Sequence, residues 1–235
     1  MMELQDVTKI YQQGRRTVQA VRGVSLRIDA GEFVAIMGPS GSGKSTLMHL
    51  LGALDTPTSG KAFFQGQDLQ RMSDRQRSHL RRNRIGFVFQ FFNLLPTLTA
   101  IENVAMPHLL GGMSRRQALK LAEASLERVG LSQRADHFPE EMSGGEMQRV
   151  AVARALVTEP EAVLCDEPTG NLDSMNSDEI LNLLRVLPEA GRRSVVMVTH
   201  DHRAASIADR IIHISDGLID GEEIPSGPRI RSAVG

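Results

Sequence analysis

Gly38-Pro39-Ser40-Gly41-Ser42-Gly43-Lys44-Ser45-Thr46 sets a lysine and two hydroxyl residues behind a glycine-rich run. From Gly38 to Ser45 it fits G-x-x-x-x-G-K-[ST] at every fixed position. Glycines let the backbone curl until several N–H groups face one point, and a helix start adds partial positive charge there. In that setting Lys44 can bridge the outer phosphates of a nucleotide, and the Ser45 hydroxyl can ligate a divalent cation. A flexible glycine turn would account for the glycines, but not for the lysine and hydroxyl that follow them. The loop names no reaction, because kinases, GTPases and motor ATPases all bind phosphates this way.

Two further stretches carry chemistry. Ala162-Val163-Leu164-Cys165 is an apolar run of strand length that ends in Asp166 and Glu167. Carboxylates need partners if they are buried, so an adjacent pair is poor packing material. At the C-terminal edge of a parallel sheet the pair would face a ligand crevice. Asp166 can there hold Mg2+, and Glu167 can polarise an attacking water as general base. Met142-Ser143-Gly144-Gly145-Glu146 precedes a long helical pattern. Ser143 with Glu146 makes an S-x-x-E capping box. The box leaves the two glycines unexplained, each costing about 1 kcal/mol against alanine in a helix. A helix start kept that bare is suited to receive an anion.

The elements that must position these residues follow from periodicity. The opening segment reads as short strands, with Val24-Ser25-Leu26-Arg27-Ile28 alternating before Asp29-Ala30-Gly31. Phe33-Val34-Ala35-Ile36-Met37 is a continuous apolar run that predicts a strand buried within a sheet. The phosphate loop follows it and opens a helix from Ser45 to about Leu54. Ala62 to Gln65 and Ile85 to Phe89 read as strands. From about Phe91 to Glu141 the pattern turns helical. Ser114 with Gln117 predicts a capping box there, and Gly130 ends that helix. Strands return at Ala162–Cys165 and Val195–Val198, helices at Ser174 to about Leu187 and about Arg203 to Ala208. A hairpin closes over Arg210–Ile219, turning at Asp216-Gly217. A tail from Glu222 to Gly235 is expected to be loosely ordered. The expectation is an α/β core, about 1–90 and 160–221, with a helical subdomain of about 91–158 set into it.

Composition narrows the classes. Basic and acidic residues number 27 and 28, for a net charge of −1, which argues against nucleic-acid binding through bulk charge. One cysteine, Cys165, excludes an internal disulfide and a multi-cysteine metal site. No apolar run approaches the roughly 20 residues that span a bilayer, and the N-terminus lacks a signal-peptide pattern. Membrane contact is therefore expected only through a partner.

Taken together, these motifs resemble the ATP-binding cassette (ABC) ATPases over about Met2 to Asp220. The resemblance implies a P-loop NTPase fold with a RecA-like mixed-sheet core, an antiparallel β subdomain and an inserted helical subdomain. It implies ATP and Mg2+ as ligands, and a head-to-tail homodimer. In that dimer Ser143, Gly144 and Gly145 of one subunit meet the γ-phosphate held by the other's phosphate loop. Four more positions match the family's order. Tyr11 lies where an aromatic stacks on adenine. Gln90 follows Ile85–Phe89, where a glutamine senses the metal and the attacking water. Asn171-Leu172-Asp173 resembles the loop that crosses the dimer interface. His200 follows Val195–Thr199 like a switch histidine near the γ-phosphate. Two departures stand out: Met142 and Glu146 replace the common leucine and glutamine of the signature. Glu146 is expected to weaken ATP-driven closure slightly unless it points away.

Leu51 to Gly60, Phe87 to Pro96 and Glu167 to Asp173 resemble one branch, which includes lipoprotein-release and macrolide-export ATPases and, nearby, the cell-division ATPase. That branch implies a permease of the cell-division or macrolide-export type, and a place on the cytoplasmic face of the membrane. The activity implied is export or mechanical work on an extracytoplasmic domain; the alternative is a signalling ATPase that moves no substrate. In this reading part of the apolar stretch Phe91, Phe92, Leu94, Leu95 and Leu98 lines a groove for a permease helix; the other reading is packing of the helical subdomain.

Overall fold

A computed structural model describes residues 1–14, 16–188 and 193–225. In chain order its elements are Met2–Gln13 (β1), Arg16–Ile28 (β2), Phe33–Met37 (β3), Lys44–Leu51 (α1), Ser59–Phe64 (β4), Gln67–Asp68 (β5), Asp74–Arg84 (α2), Ile85–Phe89 (β6), Ala100–Leu110 (α3), Arg115–Arg128 (α4), Gly144–Leu156 (α5), Ala162–Asp166 (β7), Ser174–Arg185 (α6), Ser194–Thr199 (β8), His202–Ala205 (α7), Arg210–Ser215 (β9) and Leu218–Glu223 (β10). They divide into two compact units, Met1–Arg81 with the chain from Arg185, and Arg82–Leu184.

In the first unit β3 runs between β8 and β9 and parallel to both. All five β3 residues are buried, as the unbroken apolar run requires. Burying each of the four larger side chains, Phe33, Val34, Ile36 and Met37, contributes about 1.5–3 kcal/mol. β10 pairs antiparallel with β9 out to Glu223, so the strand takes in Glu222 and Glu223 of the expected tail. Residues 226–235 lie outside the described residues. A second, antiparallel sheet has the order β2-β1-β4-β5. Its opening strands are long, not short as expected. Register shifts between Leu4 and Ile10, with Asp6 at φ 47°, break the alternation that would have revealed one strand. α1 ends at Leu51, earlier than expected, because Gly52 caps it and Ala53 turns to positive φ.

In the second unit β6 and β7 form a parallel pair. α3, α4 and α5 pack on one another, and α5 also packs on β6. α5 presents Val150, Ala151, Val152 and Ala153 to this core. The Ser114–Gln117 capping box does not form. Ser114 Oγ donates to Gln117 Oε1 at 2.7 Å, and no side chain caps the backbone of α4. The box forms at α3 instead, between Thr99 and Glu102.

Candidate functional site: a phosphate loop, a carboxylate pair and a capped helix start

The phosphate loop joins β3 to α1 in the first unit. Gly43 is the N-cap of α1, at φ 105°, and a Cβ there would strike the Ala20 carbonyl. No side chain caps α1, which leaves its first N–H groups for a ligand. Lys44 is buried, and its Nζ donates to Gly38 O at 2.8 Å and Pro39 O at 2.9 Å. An ammonium has three protons, so one remains to meet an anion. Ser42 Oγ is buried without a hydrogen-bond partner among the described residues. An anchored lysine, an orphaned hydroxyl and an uncapped helix start make a cradle short of one anion.

Tyr11 lies in β1 of the same unit, tied to a residue that the sequence did not single out. Its hydroxyl donates to Asp55 Oδ2 at 2.8 Å. Lys9 Nζ meets Asp55 Oδ1 at 2.6 Å and sits 4.9 Å from the Tyr11 ring centroid. Burial, and then Asp55, hold the Tyr11 phenol above its ordinary pKa against an opposing hydrogen bond from Thr46. His200 is exposed immediately after β8.

The second unit carries the carboxylates. β7 is buried from Ala162 to Cys165, and Asp166 and Glu167 emerge half-buried at its end. Burial, and then the Asp166 charge, push the Cys165 thiol far above its ordinary pKa, so it stays an inert packing group. Glu167 has φ 46°, a left-handed conformation that costs energy outside glycine. Gly170 N closes a turn onto Glu167 O at 3.0 Å. Gln148 Nε2, from α5, donates to Pro168 O. Gln90, just after β6, is brought to the Asn171–Asp173 loop: Asn171 Nδ2 donates to Gln90 O at 3.0 Å, and Gln90 Nε2 to Asn171 Oδ1 at 3.4 Å. Asp173 accepts from Asn176 N at 2.9 Å and Asn176 Nδ2 at 2.7 Å, which lowers its pKa.

Ser143 caps α5, and the predicted box with Glu146 is complete. Glu146 turns back to Ser143 and Arg134, not outward. Gly145 has a packing reason that the sequence did not show. A Cβ there would collide with Asn176 Oδ1, whereas one on Gly144 would make only ordinary contacts. Sequence reasoning also missed Arg154. Its NH1 donates to Asn93 O at 2.5 Å and its NH2 to Phe92 O at 2.7 Å. Phe92 and Asn93 have φ 60° and 50°, so one guanidinium pins a left-handed pair just after Gln90. Beside that pair Phe91 is 71% exposed and Leu95 44% exposed. The only trace of Arg154 in the sequence is a cation within an otherwise small and apolar helix face.

Among the described residues no group of three or more His, Cys, Asp or Glu side chains is placed to hold a metal, and no helix is long and apolar enough to cross a membrane. Residues 21–170 match the ABC transporter family. The chain is 48% identical over 219 residues to the lipoprotein-releasing system ATP-binding protein LolD of Shewanella frigidimarina, covering 93% of this chain and 92% of that protein. It is 49% identical to the macrolide export ATP-binding/permease protein MacB of Syntrophobacter fumaroxidans, covering 99% of this chain but only 33% of that longer protein. Its backbone matches the ATP-binding cassette MJ0796, solved as a dimer in a post-hydrolysis state with ADP and Pi. The TM-score is 0.89 at 44% identity, over 97% of this chain and all of that one. The chain belongs to the ABC transporter family as an ATP-binding subunit with the P-loop ABC ATPase fold, and its activity is ATP hydrolysis.

Proposed function

We propose that two copies of this chain clasp two ATP molecules and drive a membrane permease by closing on them. Lys44, Ser45, Thr46 and the amides of Gly38 to Gly43 bind the phosphates, and Tyr11 stacks on the base. Ser143, Gly144 and Gly145 of the other copy complete each pocket, with Asp173 in the crossing loop. Glu167 orients the attacking water and accepts its proton, while Gln90 and His200 organise the γ-phosphate and that water. Closure follows binding, and hydrolysis with charge separation reopens the pair. The observation that carries this reading is the start of α5, with Ser143 exposed at its cap.

Mg2+ fits the donor chemistry. Ser45, Gln90 and Asp166 offer hard oxygen ligands of the kind such an ion takes alongside waters and phosphates. When bound, it would neutralise charge on the phosphates.

The permease docks on the segment after Gln90. Exposed Phe91 and Leu95, on a loop fixed by Arg154, offer apolar anchors of the kind a short amphipathic helix uses. The subunit therefore works on the cytoplasmic face of the membrane, held there by the permease. The names of its relatives favour export or mechanical work of the lipoprotein-release or macrolide-export kind.

The Glu167→Gln protein tests this reading. It should bind MgATP and accumulate as a long-lived dimer on size exclusion, with turnover reduced by orders of magnitude. Near-normal turnover, or a monomer at saturating MgATP, overturns it.

A further inference from the structure

Glu146 already occupies donors that an incoming phosphate would use. Its Oε2 accepts from Ser143 N at 2.8 Å and Ser143 Oγ at 2.9 Å. Its Oε1 accepts from Arg134 Nε at 3.0 Å. Ser143 Oγ accepts in return from Glu146 N at 3.3 Å. A hydroxyl has one proton to give, and here Glu146 receives it.

We propose that Glu146 and Arg134 are positioning residues that set how readily Ser143 engages a nucleotide. To meet a phosphate oxygen, the Ser143 hydroxyl must turn away from the Glu146 carboxylate. The Arg134 guanidinium offsets the negative charge that the triphosphate would otherwise face. The inference rests on the two-subunit reading above, in which Ser143 meets nucleotide held by the other copy.

Four points support the latch. A carboxylate holds a donated proton roughly twice as strongly as a neutral acceptor does, so the turn has a real cost. The Glu146 side chain is 17% exposed and that of Arg134 46%, so the acid is enclosed at the helix start while its counter-charge faces water. Glu146 is also held ionised: the Ser143 N–H, first, and then the Ser143 hydroxyl and Arg134 outweigh partial burial and keep its carboxyl below the usual range. Arg134 is itself anchored, its NH1 lying 3.0 Å from His137 Nε2.

The test uses the Glu167→Gln protein and reads the MgATP concentration that gives half-maximal dimer. Adding Glu146→Gln keeps the shape of the box but weakens the acceptor and removes its charge. It should lower that concentration about fivefold. Adding Arg134→Gln should raise it by a similar factor, and added salt should relieve the increase, because salt screens an uncompensated charge. Arg134→Lys should restore most of the parent value. In the Glu146→Gln background, Arg134→Gln should change nothing. A cap with a purely structural role would lower melting temperatures and leave the ATP requirement unmoved; that result, or an equal effect of Arg134→Gln in both backgrounds, overturns the proposal. If the Glu167→Gln protein forms no dimer at any MgATP concentration, the two-subunit reading falls first and this inference falls with it.

Discussion

Gln148 Nε2 donates to Pro168 O at 2.5 Å. A fully buried side chain of α5 thereby holds the carbonyl of the residue after Glu167, whose own backbone is left-handed. The same amide reaches Phe89 O at 3.4 Å, one residue before Gln90. The helix that begins at Ser143 thus grips the segments carrying two of the proposed catalytic side chains. Gln148→Met retains the volume and loses the grip. It should cost about 1–3 kcal/mol of stability. It should also lower kcat more than it raises KM for ATP, because a misplaced Glu167 weakens the transition state more than the ground state. Denaturant unfolding and steady-state kinetics on one preparation check both parts.

Arg154 should separate partner coupling from chemistry. Arg154→Ala leaves the Phe92 and Asn93 carbonyls unpaired at strained residues, a loss of about 2–3 kcal/mol. Arg154→Lys has no fork to bridge both carbonyls, so it should recover only part of that. Phe91→Ala, at an exposed position, should leave the melting temperature unchanged while lowering the ratio of permease-stimulated to unstimulated ATP hydrolysis. If Phe91→Ala unfolds the protein as readily as Arg154→Ala does, the segment is packing and not a docking surface.

Gly145→Ala tests the contact with Asn176. The added methyl collides with the Asn176 side chain, an overpacking cost of about 1–3 kcal/mol. The displaced helix start should also abolish ATP-dependent dimerisation. Asn176→Ala removes the colliding oxygen and Cγ, so the double variant should regain part of the lost stability. Gly144→Ala should be mild by comparison, since its nearest neighbours lie 3.6 Å or more away. Thermal unfolding of the four proteins decides the ranking.

Asp55 gives a pH dependence with a definite sign. Burial pushes its carboxyl up, but hydrogen bonds from Lys9, Tyr11 and Thr56 N outweigh burial and hold it below its ordinary value. A carboxyl depressed on folding contributes stability above its unfolded pKa of about 3.9, and that stability disappears as pH falls through the folded value. Melting temperature should therefore drop as pH falls below about 4 and through the lowered folded value. Asp55→Asn should start lower at pH 7 and flatten that drop. Because the Tyr11 hydroxyl bonds Asp55, the variant should also weaken ATP binding modestly.

The phosphate loop was legible because chemistry and context coincide: Lys44 and Ser45 follow a strand whose five residues are all buried. The Ser143–Glu146 box was legible because capping is local. Identical logic failed at Ser114, where the two side chains satisfy each other and leave the backbone uncapped. α2 escaped notice because only Leu80 of its eleven residues is buried, so no apolar period announces it. Gln148, Arg154 and Asn103 are anchors whose partners are backbone groups, and sequence carries no signal for those. Asn103 is fully buried and holds Leu95 N through its Oδ1, and the carbonyls of Leu95, Leu98 and Thr99 through its Nδ2. A polar residue at that helical position reads as solvent-facing until the segment folded over it is known. The Gly145 contact was invisible for the same reason, since Asn176 lies 31 residues further along the chain.

If hydrolysis requires two copies, each lending a helix start to the other's nucleotide, its rate must depend on how many copies are paired. The most direct measurement is the initial rate of ATP hydrolysis at saturating MgATP over a wide range of protein concentration. At low protein the rate should rise with the square of concentration and become linear as the dimer saturates. Mixing in Lys44→Ala protein should change the specific activity through mixed pairs. A rate strictly proportional to protein at every concentration, untouched by added Lys44→Ala, would contradict the account.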